Sequence, residues 1–151
     1  MMDLKDLYQE VILDHNRNPR NYGPLADANQ RAEGFNPLCG DRVTIEIKLD
    51  PAGCVECVHF AGRGCAISTA SASMLTESLE GKSRAEALAL IERFQEFVKE
   101  GGACAHDADD LGKLAVFAGV GEFPTRVKCA MLAWHAAKAA LAGEASSVST
   151  E

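Results

Sequence analysis

The chain has no uninterrupted apolar run of about 18 residues, so nothing in it reads as a membrane-crossing helix. It has no excess of positive charge either. The net charge is −7, with 7 basic against 10 acidic side chains in residues 1–75 and 8 against 12 in the rest. No basic patch stands out, which argues against nucleic acid as a partner. The opening Met1-Met2-Asp3-Leu4-Lys5-Asp6 lacks the apolar centre of a secretory leader. These absences together point to a cytoplasmic protein whose thiols stay reduced. There is no internal repeat, no Ser/His/Asp triad and no phosphate loop. No linker splits the 151 residues, a length at which one domain buries roughly 68–70% of its extended surface. Residues 1–143 are expected to form that domain, with 144–151 as a polar tail that frays.

What the chain does contain is a clear order of elements. Leu4, Leu7, Tyr8, Val11 and Ile12 follow helical spacing, which predicts a helix over 3–16. The Asn18–Pro24 segment, with two prolines and a glycine, ends it. A short strand is expected near 31–35. Val43, Ile45, Ile47 and Leu49 alternate with polar residues, the pattern of a half-buried strand. Asp50-Pro51-Ala52-Gly53 then makes a turn into a return strand over 54–60. Gly62-Arg63-Gly64 is expected to break the sheet. A helix rich in Ala and Ser over 66–79 follows, with Gly81 at its C-terminal stop. Ser83 and Glu86 form a capping box for a helix over 84–99. A loop over 103–109, a short helix near 110–118 and a last helix over 125–142 complete the chain. The fold class is α+β: a small antiparallel sheet of about three strands with helices on one face.

The residue that is plentiful is cysteine, at positions 39, 54, 57, 65, 104 and 129. In a reduced compartment these are core filler, metal ligands or reactive thiols rather than three disulfides. Cys54-Val55-Glu56-Cys57 is formally C-x-x-C. On a regular strand, an odd separation sends the two side chains to opposite faces, so this pair is expected to be filler. Cys104, close to His106, sits in a loop and is expected to be incidental. The other three differ. Cys39 lies in Asn36-Pro37-Leu38-Cys39-Gly40-Asp41, two residues from a carboxylate. Cys65 follows Gly62-x-Gly64 at the start of the Ala/Ser helix, and Cys129 lies in the first turn or so of the last helix, after Arg126 and Lys128. Helix N-termini and nearby cations favour thiolate over thiol. Three thiolates and Asp41 make a four-ligand set of the kind that suits zinc or an iron–sulfur cluster. The alternative is three small hydrophobes in a core and a turn-capping Asp41. His15 and His135, both on helices, read as packed or surface groups, and the serines of 66–73 as close helix packing.

Those three cysteine segments, with Leu7–Asp14-His15 and Asn18-Pro19-Arg20-Asn21 near the start, resemble the IscU/NifU N-terminal-domain family of iron–sulfur cluster assembly proteins. The resemblance spans roughly residues 4–142. Two features resemble its SufU-type branch. Lys128 stands where IscU-type scaffolds carry His, and Cys65 and Cys129 are 64 positions apart.

The resemblance implies that Cys39, Asp41, Cys65 and Cys129 hold zinc. It implies that Cys39 takes sulfur from the persulfide of a SufS-like cysteine desulfurase, a partner His replacing Cys39 on the metal. Downstream iron–sulfur assembly machinery would receive that sulfur. Such a protein is sulfurtransferase-like. Two other readings use the same residues. One is a scaffold that binds iron and builds a [2Fe–2S] cluster, which is not an enzyme. The other is a zinc-stabilised domain that only activates the desulfurase. Arg126 and Lys128 sit where positive charge is mildly unfavourable for a helix, which suggests a local role near Cys129.

Overall fold

A computed structural model describes residues 4–36, 40–99, 124–142 and 148–149. Cys39, Cys104, His106 and the short helix expected near 110–118 lie outside the described residues. The elements run α1 (Leu4–Arg17), β1 (Gln30–Asn36), β2 (Asp41–Leu49), β3 (Val55–Arg63), α2 (Ala66–Leu79), α3 (Arg84–Lys99), α4 (Pro124–Leu141) and β4 (Val148–Ser149). Strands β1, β2 and β3 form an antiparallel meander, and β4 adds a two-residue parallel pairing of Val148 and Ser149 with Gly34 and Phe35. That last pairing falls within the tail expected to fray.

One face of the sheet is apolar because period-two alternation places Ala32, Val43, Ile45, Ile47, Val58 and Phe60 on the same side. Helices α2 and α4 cover that face, α1 packs on α2, and α3 packs on α4. The helices thus lie on one side of the sheet. At the centre, Phe94 of α3 stacks on Trp134 of α4 at 4.0 Å between centroids. Burying each such aromatic contributes about 1.5–3 kcal/mol.

Small residues set how close the layers come. A Cβ on Gly34 would lie 3.0 Å from Leu132 Cδ1 and 3.2 Å from the Leu132 carbonyl oxygen. Glycine there lets α4 rest directly on β1. The serines of α2 turn inward rather than out. Ser71 Oγ donates to the Ala130 carbonyl at 2.5 Å and accepts from Trp134 Nε1 at 2.9 Å. Ser73 Oγ accepts from the Arg20 amide at 2.8 Å and lies 2.7 Å from His15 Nδ1. The helix-packing reading of 66–73 therefore holds, and its hydroxyls act as the hydrogen-bonding seam to α1 and α4.

Two strand expectations change. β3 does not stop before Gly62: it runs to Arg63, and Gly62 pairs with Val43. Gly62 has φ +147, and a Cβ there would lie 2.1 Å from the Arg42 carbonyl oxygen. Glycine at this position lets the two strands stay paired, where the sequence pattern suggested a break. The second change is a bulge. Lys48 pairs with Cys57 but Leu49 pairs with Val55, which leaves Glu56 as an extra residue. Val55 and Val58, three apart, are consequently both buried. The extra residue breaks the strict alternation on which the opposite-face expectation for Cys54 and Cys57 rests, and Cys54 itself lies just before β3.

Candidate metal centre

The turn between β1 and β2 brings the first donor. Asn36 and Asp41 are register partners, and the Gly40 amide donates to the Asn36 carbonyl at 2.8 Å. Gly40 has φ +73, a left-handed conformation that glycine adopts without strain. Asp41 begins β2 on the inward side and is only 4% exposed. Its Oδ1 accepts from the Cys65 amide at 3.3 Å. The carboxylate therefore reaches the start of α2.

Cys65 is the N-cap of α2, with extended backbone at φ −69 and ψ 171. Its Sγ accepts from the Ser68 amide at 3.4 Å, the role a Ser or Asp oxygen usually plays at this position. The thiol also lies 3.8 Å from Asp41 Oδ2. Gly64 permits this approach, because a Cβ there would meet Ser68 Oγ at 2.9 Å and Asp41 Cγ at 3.4 Å. Cys65 is exposed.

Cys129 comes from the far end of the chain and is buried. It is the sixth residue of α4, one residue deeper than the expected start at 125 gives. The unpaired amides of a helix end are its first four, so the helix terminus does not act on Cys129 directly. A different donor does. Asn36 is fully buried, and its Nδ2 points at Cys129 Sγ at 3.9 Å. Sequence reasoning quoted Asn36 only as part of a loop; it also orients the sulfur. Its signal was a polar residue one step before the turn, on the inward side of β1. The Ser71–Ala130 and Trp134–Ser71 bonds hold this part of α4 against α2. Lys128 is half-buried beside Cys129.

One donor atom from each of Asp41, Cys65 and Cys129 lies within 4.8 Å of the other two. Tetrahedral coordination at ordinary zinc bond lengths sets its ligand atoms about 3.5–3.8 Å apart. Side-chain shifts of an ångström or less bring the three donors into such a shell. Two sulfurs and one carboxylate oxygen suit a thiophilic divalent ion, and the Cys65 amide and Asn36 amide supply the outer hydrogen bonds such ligands need. The arrangement draws on three segments, and Cys39 precedes Asp41 by two residues in one of them. Among the described residues this is the one such group of donors. Cys54 and Cys57 lie elsewhere, half-exposed, and His15 and His135 are engaged with Ser73 and Gln95.

The chain is similar to known proteins over nearly its whole length. The chain is 42% identical over 142 residues to the zinc-dependent sulfurtransferase SufU of Bacillus subtilis (strain 168), covering 94% of each chain. It is 43% identical over 138 residues to the iron–sulfur cluster assembly scaffold protein IscU of Streptococcus pyogenes serotype M1, covering 91% of this chain and 84% of the relative. A crystal structure of FiSufU, a candidate assembly scaffold of the SUF system from Fervidobacterium islandicum AW-1, superposes with a TM-score of 0.80 at 34% identity. That match covers 89% of this chain and 96% of the other. The family model for the NifU-like N-terminal domain matches residues 7–130. The chain belongs to the NifU-like N-terminal domain family of iron–sulfur cluster assembly proteins.

Proposed function

We propose that this chain is a zinc-dependent sulfur acceptor, which takes sulfane sulfur on Cys39 from a cysteine desulfurase and passes it to the assembly machinery. The observation that carries the reading is the convergence of Asp41, Cys65 and Cys129, with their donor atoms within 4.8 Å, and Cys39 stands two residues before Asp41 in the sequence. Cys39, Asp41, Cys65 and Cys129 would hold the ion. Zinc in such a set keeps thiolates deprotonated and has no redox chemistry of its own.

The transfer itself is a thiolate exchange. The Cys39 thiolate attacks the outer sulfur of the partner's persulfide. A new S–S bond forms to Cys39, the old one breaks, and the partner cysteine leaves as a thiolate. The proton stays on the transferred sulfur, and nothing is oxidised or reduced overall. Exposure of Cys65 at the edge of the donor group leaves a side from which a partner can approach.

The scaffold reading uses the same donors. Lys128 weighs against it, because a lysine offers no imidazole ligand at the position beside Cys129 where IscU-type scaffolds resemble this chain but carry His. Metal analysis after purification without oxygen separates the two. One zinc per chain and no visible chromophore after iron and sulfide reconstitution is the expected result. A stable iron–sulfur spectrum overturns it. Mass spectrometry after mixing with desulfurase and cysteine should show one added sulfur atom on Cys39. Cys39→Ala should abolish both the adduct and the stimulation of desulfurase turnover. Full stimulation by Cys39→Ala would instead make the chain a simple activator.

A further inference from the structure

The outer face of the sheet carries a row that the metal centre does not use. Phe35, Arg42 and Arg63 occupy paired positions across β1, β2 and β3. Neighbouring strands are about 4.8 Å apart, so Arg42 and Arg63 stand side by side, and like charges directly opposite destabilise a sheet. Neither makes an ion pair among the described residues. The nearby Glu33 is engaged by Arg31 at 3.2 Å. The Arg42 guanidinium lies 4.9 Å above the Phe35 ring centroid, which holds its planar fork in place.

The row lines a groove of about 670 Å³ together with Gly40, Thr44 and Gly62. At the β3 edge, Tyr22 is 53% exposed, and its hydroxyl donates to the Gly62 carbonyl at 3.3 Å. Arginine and tyrosine clustered around a partly apolar floor are the composition of an interface centre. One residue, Gly64, separates Arg63 from exposed Cys65. The chain as a whole is acidic, with a net charge of −7.

We propose that the Arg42–Arg63 row is the docking surface for an acidic segment of the sulfur donor, which two guanidinium forks grip beside the metal centre. This inference rests on the sulfur-acceptor reading and adds the chemistry by which the donor is recognised. A carboxylate pair suits the site because each fork binds one carboxylate in two parallel hydrogen bonds.

The test measures binding of the full chain, loaded with zinc, to the cysteine desulfurase of the same organism by biolayer interferometry over a range of salt. The double variant Arg42→Glu/Arg63→Glu should weaken binding about tenfold or more and flatten the salt dependence. Lys48→Glu, the same charge change at the distant end of the same strand, should change it by less than about twofold, since it lies beyond a screening length. Zinc content and melting temperature should match the unaltered chain. If the double variant loses zinc or melts early, Arg63→Gln, which leaves Arg42 on Phe35, should still weaken binding severalfold. Unchanged affinity in these variants, while the unaltered chain binds and accepts sulfur, overturns the docking surface alone. Failure of the unaltered chain to bind the desulfurase overturns it together with the sulfur-acceptor reading. If the variants instead lose self-association in analytical ultracentrifugation and keep the desulfurase, the row is a contact between copies and the proposal is wrong.

Discussion

The β2–β3 hairpin has cysteines near both of its ends, and the two ends behave differently. At the turn end, Cys54 and Cys57 carry the only C-x-x-C spacing, and a set of mostly main-chain bonds surrounds them. The Val55 amide donates to the Lys82 carbonyl at 2.7 Å, Gly81 to Val55 at 2.9 Å and Arg84 to Gly53 at 3.2 Å. Asp50 Oδ1 accepts from the Cys54 amide at 2.9 Å. That end is a knot of main-chain bonds, and its two cysteines are half-exposed. At the open end, Asp41, Cys65 and Cys129 share no spacing at all, and their donor atoms meet. Here side chains from distant segments converge into a donor group that could hold a metal, and local spacing does not produce one.

The comparison breaks most visibly on metal. Cys65→Ala or Cys129→Ala should remove tightly bound zinc, seen by metal analysis. The melting temperature should fall with it, since an ion at about 1,000 times its Kd adds about 4 kcal/mol of apparent stability. Cys54→Ala and Cys57→Ala should keep full zinc occupancy and lose no more than about 1 kcal/mol. If either of the latter loses the ion, the division between the two ends is wrong.

A finer cut removes a supporting group. Asn36→Ala should keep the fold and lower zinc affinity about 10–100-fold in chelator competition, the usual effect of deleting an outer hydrogen bond to a ligand. Ser71→Ala leaves the Trp134 Nε1 donor buried without its acceptor and should destabilise the fold by about 1–3 kcal/mol in urea titration. The result that counts against it is stability equal to the unaltered chain.

The smallest effects belong to the turn end. Ser83 and Glu86 bond reciprocally at 3.1 Å, and Ser83→Ala should cost about 1 kcal/mol with no change in zinc. The Ser83 amide and hydroxyl hold the Glu86 carboxyl below the ordinary carboxylate range. A lowered value in the folded state stabilises the fold above the unfolded-state value, and that contribution disappears as pH falls through the folded-state value. Glu86→Gln should therefore flatten the acid limb of the melting-temperature profile slightly.

Much of this was legible along the chain. The helices over 66–79 and 84–99 have the bounds that composition and the capping box give, and the Asp50–Gly53 turn closes as its residues require, with Gly53 at φ +87. These are local preferences, decided within a few residues. The bulge at Glu56 was not legible, because it is fixed by how β3 must follow β2 and α2, and it removes the regular alternation that the C-x-x-C argument assumed. The strand through Gly62 was hidden for the same reason: its glycine answers to the Arg42 carbonyl of another strand.

The sequence by itself determined the order of elements, the α+β class and the short list of candidate ligands, because periodicity, caps and turn residues act over short range. Tertiary structure alone decided which of those ligands meet. Asp41 and Cys65 are 24 residues apart, and Asn36 and Cys129 are 93 apart, so only the packing of α2 and α4 onto the sheet brings them within reach of each other. The same packing turned Asn36 from a loop residue into a donor aimed at sulfur. It also aligned Phe35, Arg42 and Arg63 into one row, because strand register, which no single strand specifies alone, sets what stands opposite what.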